Sequence, residues 1–189
     1  YPRAAPAWEP LDASVAVVAN GRSTPVLAFA TNRNMLASNS FSTPDGGVDA
    51  DLVRVADASA STLDAANVRG KIVLMDGRLA QLYAEAVQKR GAAGVLAYSL
   101  PAYLRPEVHR TSIQFTSIPY DSVTRGWGMM ISTAAREQLR AALDAGPVRL
   151  HVATRSRFTS PSTELTVVAE IRGSAKPEER FVYSAHVQE

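Results

Sequence analysis

Residues 68–100 narrow the possible architectures more than any other stretch. Ile72 to Met75 is a short apolar run bounded by Gly70 and by Asp76-Gly77, which predicts a buried strand. From Arg78 to Arg90 the apolar side chains are Leu79, Leu82, Tyr83, Ala86 and Val87. That spacing puts them on one face of a helix. Lys89 and Arg90 fall in its last turn, where cations complement the helix dipole, and Gly91 follows as a C-terminal cap. Val95 to Tyr98 reads as a second strand. The order strand, helix, strand predicts a parallel, right-handed crossover. A nucleotide-binding fold starts in the same way, so this unit alone leaves a cofactor site open.

Composition closes several functional classes. A net charge of +2 on 20 basic and 18 acidic side chains, with no basic stripe interleaved with aromatics, argues against a nucleic-acid binder. The absence of cysteine removes disulfides, thiolate metal sites and a cysteine nucleophile. No apolar run approaches the roughly 20 residues of a membrane span. No signal peptide is visible and the first residue is Tyr1, so a mature or excised product is expected.

The remaining segments predict a chain rich in strands. Residues 1–12 carry Pro2, Pro6 and Pro10 and read as an extended arm anchored by Trp8. Residues 14–19 and 26–30 flank Asn20-Gly21, a two-residue hairpin signal, and Pro25 disfavours a central position for the second of them. Residues 31–47 are polar loop, 48–55 alternate as a strand, and 56–67 hold a short helical turn around Leu63. Residues 101–117 are irregular, and Met129 to Ile131 is a short strand. Ser132 or Thr133 caps a helix to about Ala145, with Ala135, Leu139, Ala142 and Leu143 on its apolar face. A strand over 148–154 and a linker-like stretch over 155–162 follow. Two further strands, 165–171 and 180–185, are expected around a polar turn. Seven or eight strands against two helices are too many for a doubly wound nucleotide fold. A β-rich α/β sandwich or open barrel with two flanking helices fits better.

Few residues offer chemistry. Gly126-Trp127-Gly128 runs into Met129, so the third glycine of a dinucleotide fingerprint is missing, and a turn before a buried strand is the plainer reading. No Gly-x-Ser-x-Gly elbow occurs. His109 lies in a charged loop and His151 points off the apolar face of its strand, so both read as surface residues. His186 directly follows an apolar strand, at the kind of sheet edge where α/β proteins place ligands. One histidine cannot hold zinc, since a catalytic site takes three protein ligands. Glu189 is a further oxygen donor. Tyr98, Tyr103 and Tyr120 gather in sequence, which suggests either a small-molecule pocket or aromatic packing under a long loop.

Two stretches together resemble a known family. Val68-Arg-Gly-Lys-Ile-Val-Leu-Met, the helix ending Lys-Arg-Gly91-Ala-Ala-Gly-Val-Leu, and the later Ile118-Pro, Ile131-Ser and Leu139 resemble the protease-associated (PA) domain. The run from Leu165 to His186 is similar to the entry into the catalytic domain of two-zinc aminopeptidases of peptidase family M-28. The resemblance implies residues 1–37 as an N-terminal arm with connecting strands, 38–156 as the PA domain, and 157–189 as a linker and the start of the peptidase domain. It implies a non-catalytic part that shapes substrate access or protein contacts. The intact parent would hydrolyse peptide bonds with a metal-activated water. His186 would match a zinc ligand there, and two zinc ions would be the parent's cofactors, with none expected on this part alone. The family pattern has an aspartate two residues after that histidine, where Gln188 stands here. Glutamine can hydrogen-bond the imidazole but brings no charge. Partners implied are a peptide or protein substrate and the rest of the peptidase domain, in a secreted, periplasmic or cell-surface location. The alternative is a free-standing PA-type interaction module.

Overall fold

The computed structural model describes residues 2–3, 6–19, 21–163 and 165–185. In chain order the elements are β1 (Pro2–Arg3), β2 (Ala7–Ala19), β3 (Arg22–Ala28), β4 (Val48–Arg54), α1 (Ala60–Ala65), β5 (Ile72–Asp76) and α2 (Leu79–Leu82). A π-helical segment, Tyr83–Gln88, continues α2, and β6 (Gly94–Tyr98) and a 3₁₀ turn, Ala102–Leu104, follow it. Then come β7 (Gly128–Met130), α3 (Thr133–Ala145), β8 (Val148–Thr159) and β9 (Ser162–Thr163). Seven strands form one mixed sheet in the order β3-β2-β8-β4-β5-β6-β7, curled into a half-barrel. The crossover read from residues 72–98 is there: β4, β5, β6 and β7 pair in parallel, and β2, β3 and β8 are antiparallel. This is the β-rich α/β class expected.

Both sheet edges are blunted, as exposed edges require. Pro25 sits in β3, the outermost strand on one side, and Gln138 of α3 donates to its carbonyl at 3.4 Å. Ala19 stands opposite Arg22, so two residues link β2 to β3, with Gly21 at φ +71°. On the other side residues 35–37 lie against β7. Ala37 N–H bonds Gly128 O at 3.0 Å and Met130 N–H bonds Met35 O at 2.9 Å.

All five side chains of the predicted helical stripe are buried, but the helix changes pitch midway. Its closure shows the change: Gly91 N–H bonds Val87 O (3.0 Å) and Ala92 N–H bonds Ala86 O (2.9 Å). Each bond is one residue wider than in a Schellman closure, as a π turn requires. Arg90 caps the end by donating to Glu85 O at 2.9 Å and to the Asp64 carboxylate of α1 at 2.6 Å. Tyr83 opens the π segment fully buried, and no acceptor receives its hydroxyl hydrogen among the described residues. Burial pushes the phenol up, with the charge on Asp121 adding to it, while the nearby Gly126 amide opposes the shift. A buried hydroxyl whose hydrogen has no acceptor is costly, and removing it takes away that cost. Tyr83→Phe is therefore expected to raise stability by about 1 kcal/mol in urea titrations. A loss of that size would show that the hydroxyl is bonded.

α3 is capped by Ser132, whose Oγ accepts from Ala135 N–H at 3.2 Å, and it is stapled to the carboxyl edge of the parallel strands. Arg136 holds both oxygens of Asp76, and Arg140 donates to Oδ2 at 2.7 Å. Arg136 also lies 4.7 Å over the Tyr98 ring. The hydrogen bonds from Arg136, with the charges of Arg136, Arg140 and Arg54, hold the Asp76 carboxyl below its ordinary range despite partial burial. A depressed carboxyl stabilises the fold above its unfolded pKa of about 3.9, and the gain is lost as pH falls through the folded value. Asp76→Asn is expected to cost about 1 kcal/mol at neutral pH, since the pair is partly solvated, and to flatten the loss of stability below about pH 4. An unchanged acid limb would remove Asp76 from that role.

Three sequence expectations are corrected. The arm of residues 1–12 is in large part strand: β2 begins at Ala7 and pairs with β8 as far as Thr159. The stretch 155–162 is likewise not a linker, because β8 runs through most of it. The outer halves of these strands pair through polar side chains, such as Arg157 Nε on Glu9 at 3.0 Å, and so carry no apolar alternation. Residues 165–171 and 180–185 form no strand. A two-stranded ribbon without a packed face is marginal in water, and these residues lie on no other element.

Candidate functional site

His186, Gln188 and Glu189 lie outside the described residues. His109 is exposed in its loop. His151 faces Asp49 across β4 and β8, with Nδ1 2.9 Å from the carboxylate. Among the described residues no group of three or more His, Cys, Asp or Glu side chains could hold a metal ion. The donor set of a catalytic zinc is therefore not found there. No described helix is long and apolar enough to cross a membrane. Gly126 and Trp127 follow the 122–124 turn and lead into β7, which Gly128 opens, with Trp127 buried.

The three tyrosines do not meet in one pocket. Tyr98, at the end of β6, shares a hydrogen bond with Thr133 at 3.1 Å, Tyr103 is 77% exposed, and Tyr120 packs against Phe41 and Phe158. The long loop after β6 carries them to different places.

The structure instead assembles an aromatic shelf from residues remote in sequence. Phe158 on β8 pairs directly with Trp8 on β2. Trp8 Nε1 donates to Ser40 O at 2.8 Å, Ser156 Oγ to the same oxygen at 2.7 Å, and Thr154 Oγ1 to Phe41 O at 2.9 Å. These bonds lay residues 40–41 along β8 and set the Phe41 ring 4.4 Å from Phe158. Tyr120 closes the group at 5.3 Å from Phe158 and 5.9 Å from Phe41. The Arg125 guanidinium lies 5.1 Å over Phe41.

Two devices hold the loop that brings Tyr120 and Arg125 here. Asn32, Asn34 and Asn39 donate side-chain amides to Thr111 O (2.8 Å), Ile113 O (3.2 Å) and Ile118 O (2.9 Å), each partner 79 residues away. Two irregular segments thus run parallel in fixed register, asparagine side chains standing in for strand amides. Further on, the Asp121 carboxylate takes Gln88 Nε2 at 2.8 Å, Val123 N–H at 2.9 Å and Thr124 N–H at 3.1 Å. Those donors, Gln88 foremost, hold its carboxyl well below the usual range. Arg125 ends the turn at φ +52°, its N–H on Asp121 O at 3.0 Å.

A second surface is the segment after β9. Leu165, Val167, Val168 and Ile171 on one side of the 172–179 turn, and Phe181, Val182 and Tyr183 on the other, are each at least three-quarters exposed. So many large apolar side chains in the open mark a contact surface.

No family model and no curated protein matches this sequence. Among solved structures the chain is similar to the Peptidase M28 precursor from Shewanella amazonensis SB2B, with a TM-score of 0.63 and 20% identity over 93% of this chain and 42% of that one. It is also similar to the aminopeptidase from Aneurinibacillus sp. strain AM-1, with a TM-score of 0.54 and 16% identity over 81% of this chain and 33% of that one. The chain thus spans less than half the length of either. At these identities the likeness is one of fold alone: the chain shares the fold of part of each of those longer chains.

Proposed function

We propose that this chain is the accessory, non-catalytic part of a zinc-dependent aminopeptidase, of the protease-associated type, which shapes how peptides approach the catalytic domain. Residues 38–156 are the body of its PA domain, residues 1–37 are an arm and connecting strands whose β2 and β3 complete the same sheet, and residues 157–189 finish β8 and then form the link to, and the start of, the peptidase domain. The observation that carries this reading is the exposed apolar run over 165–183, attached directly to β9. Val167-Val168-Ala169 and Phe181-Val182-Tyr183 are consecutive apolar blocks, as in strands buried within a larger sheet. In the parent, His186 is a ligand to one of two zinc ions. The parent is secreted, periplasmic or on the cell surface, and its substrates are peptides or proteins.

The test uses the chain alone and the chain extended past Glu189 into the following catalytic sequence. The extended form is expected to hydrolyse aminoacyl-anilides in a zinc-dependent way, and His186→Ala to abolish this. Full activity in that variant would refute the ligand assignment. The 189-residue chain is expected neither to bind zinc stoichiometrically in calorimetry nor to hydrolyse these substrates, and tight zinc binding by it would refute the division of roles.

A further inference from the structure

We propose that Phe41, Tyr120, Phe158 and Arg125 form a peptide subsite that takes an apolar side chain on the rings and a carboxylate on the guanidinium. The proposal deepens the reading of the chain as a peptidase accessory part by naming the class of peptide it selects.

Arg105 and Arg110 on the same loop face Glu107 and Glu137, whereas Arg125 has no carboxylate in ion-pair reach among the described residues. Its backbone is left-handed, a conformation that glycine adopts without strain and arginine does not. The turn needs only a residue that tolerates this φ, and the chain places there a long cation laid over an aromatic face. An arginine held over a ring keeps most of its donors free, and its planar fork matches a carboxylate.

The rings supply the other half. Phe41 is buried and makes a floor, while Tyr120 stays 43% exposed beside it and Phe158 is half-buried. Rings at 4.4 to 5.9 Å offer faces and edges to an apolar side chain. The shelf is fixed before any ligand arrives, by the Ser40 and Phe41 carbonyl bonds and by the asparagine ties along residues 111–118, so binding orders little. The complementary ligand is a peptide with a carboxylate next to an apolar residue, as at a C-terminus ending in phenylalanine or leucine.

The probe is a tripeptide ending in phenylalanine, as free acid and as C-terminal amide, titrated into the 189-residue chain and followed by the shifts of backbone amides around Tyr120 and Phe158. The free acid is expected to bind about fivefold more tightly than the amide, the size of one partly solvated ion pair. Arg125→Gly should erase that difference without lowering the thermal midpoint, because glycine relieves the left-handed strain. Phe158→Ala should weaken both forms. Equal binding of acid and amide, a preference that survives Arg125→Gly, or no saturable shift at these residues would each overturn the proposal. So would self-association lost in Arg125→Gly, which would make a second copy the occupant. The readout is binding to this chain alone, so it stands or falls separately from the zinc and activity test.

Discussion

Gly94→Ala is expected to cost about 3 kcal/mol or more, a large share of the roughly 5–15 kcal/mol that holds a domain together. Gly94 opens β6 between β5 and β7, and a Cβ there would lie 2.2, 2.3 and 2.5 Å from three carbons of the Trp127 ring. Trp127 is 3% exposed and leads directly into β7, whose outer side is covered by residues 35–37, so the indole has nowhere to retreat without dragging that strand. Gly128 is the internal control. A Cβ there would meet Val95 and Leu79 methyls at 3.2 to 3.4 Å, which neighbours can absorb with shifts of a few tenths of an ångström. Urea titrations of the two variants should separate by at least about 2 kcal/mol. Equal stabilities would mean that Trp127 does not pack on Gly94.

Leu139→Ala should be the next most damaging change, at about 3 kcal/mol. Leu139 is fully buried at the middle of α3, between Ala135 and the half-buried Ala142 and Leu143. The helix is tied at its capped end by Ser132 and on its side by Arg136 and Arg140, so it cannot collapse freely into the hole. Leu143→Ala, one turn further and partly in solvent, should cost about 1 kcal/mol. If the two changes cost the same, the packing of α3 is not centred on Leu139.

Most of the parallel half could be read from the sequence because β5, β6 and β7 are buried on both faces and show as apolar blocks, while β4 showed by its alternation. α3 was as plain, with Ser132, a spaced apolar face and Gly146-Pro147 marking its limits. The antiparallel half was only half visible. β2 and β8 carry Trp8, Glu9, Arg157 and Phe158 where they extend past the core, and these residues stabilise each other across the ladder without following a period. The π segment left no trace, since its stripe obeys helical spacing until Val87. The aromatic shelf was hidden for a different reason: Phe41, Tyr120 and Phe158 come from three distant segments, and only the bonds to the Ser40 and Phe41 carbonyls and the asparagine ties bring them together. One signal was in plain sight. Asn32, Asn34 and Asn39 face Thr111, Ile113 and Ile118 at a constant separation of 79, but a constant separation means nothing until two segments are known to run side by side.

β1 and β9 are only two residues each, yet Pro2 stands opposite Thr163 and Arg3 opposite Ser162. Neighbouring strands lie about 4.8 Å apart, so the backbone enters and leaves the half-barrel through points separated by the width of one hydrogen bond. Such a unit can be spliced into a surface loop of a host protein by opening the host by only that distance, with neither partner strained. The same pairing brings the two ends of the half-barrel side by side. Its orientation to a host would then be governed by two adjacent peptide links rather than by a long tether.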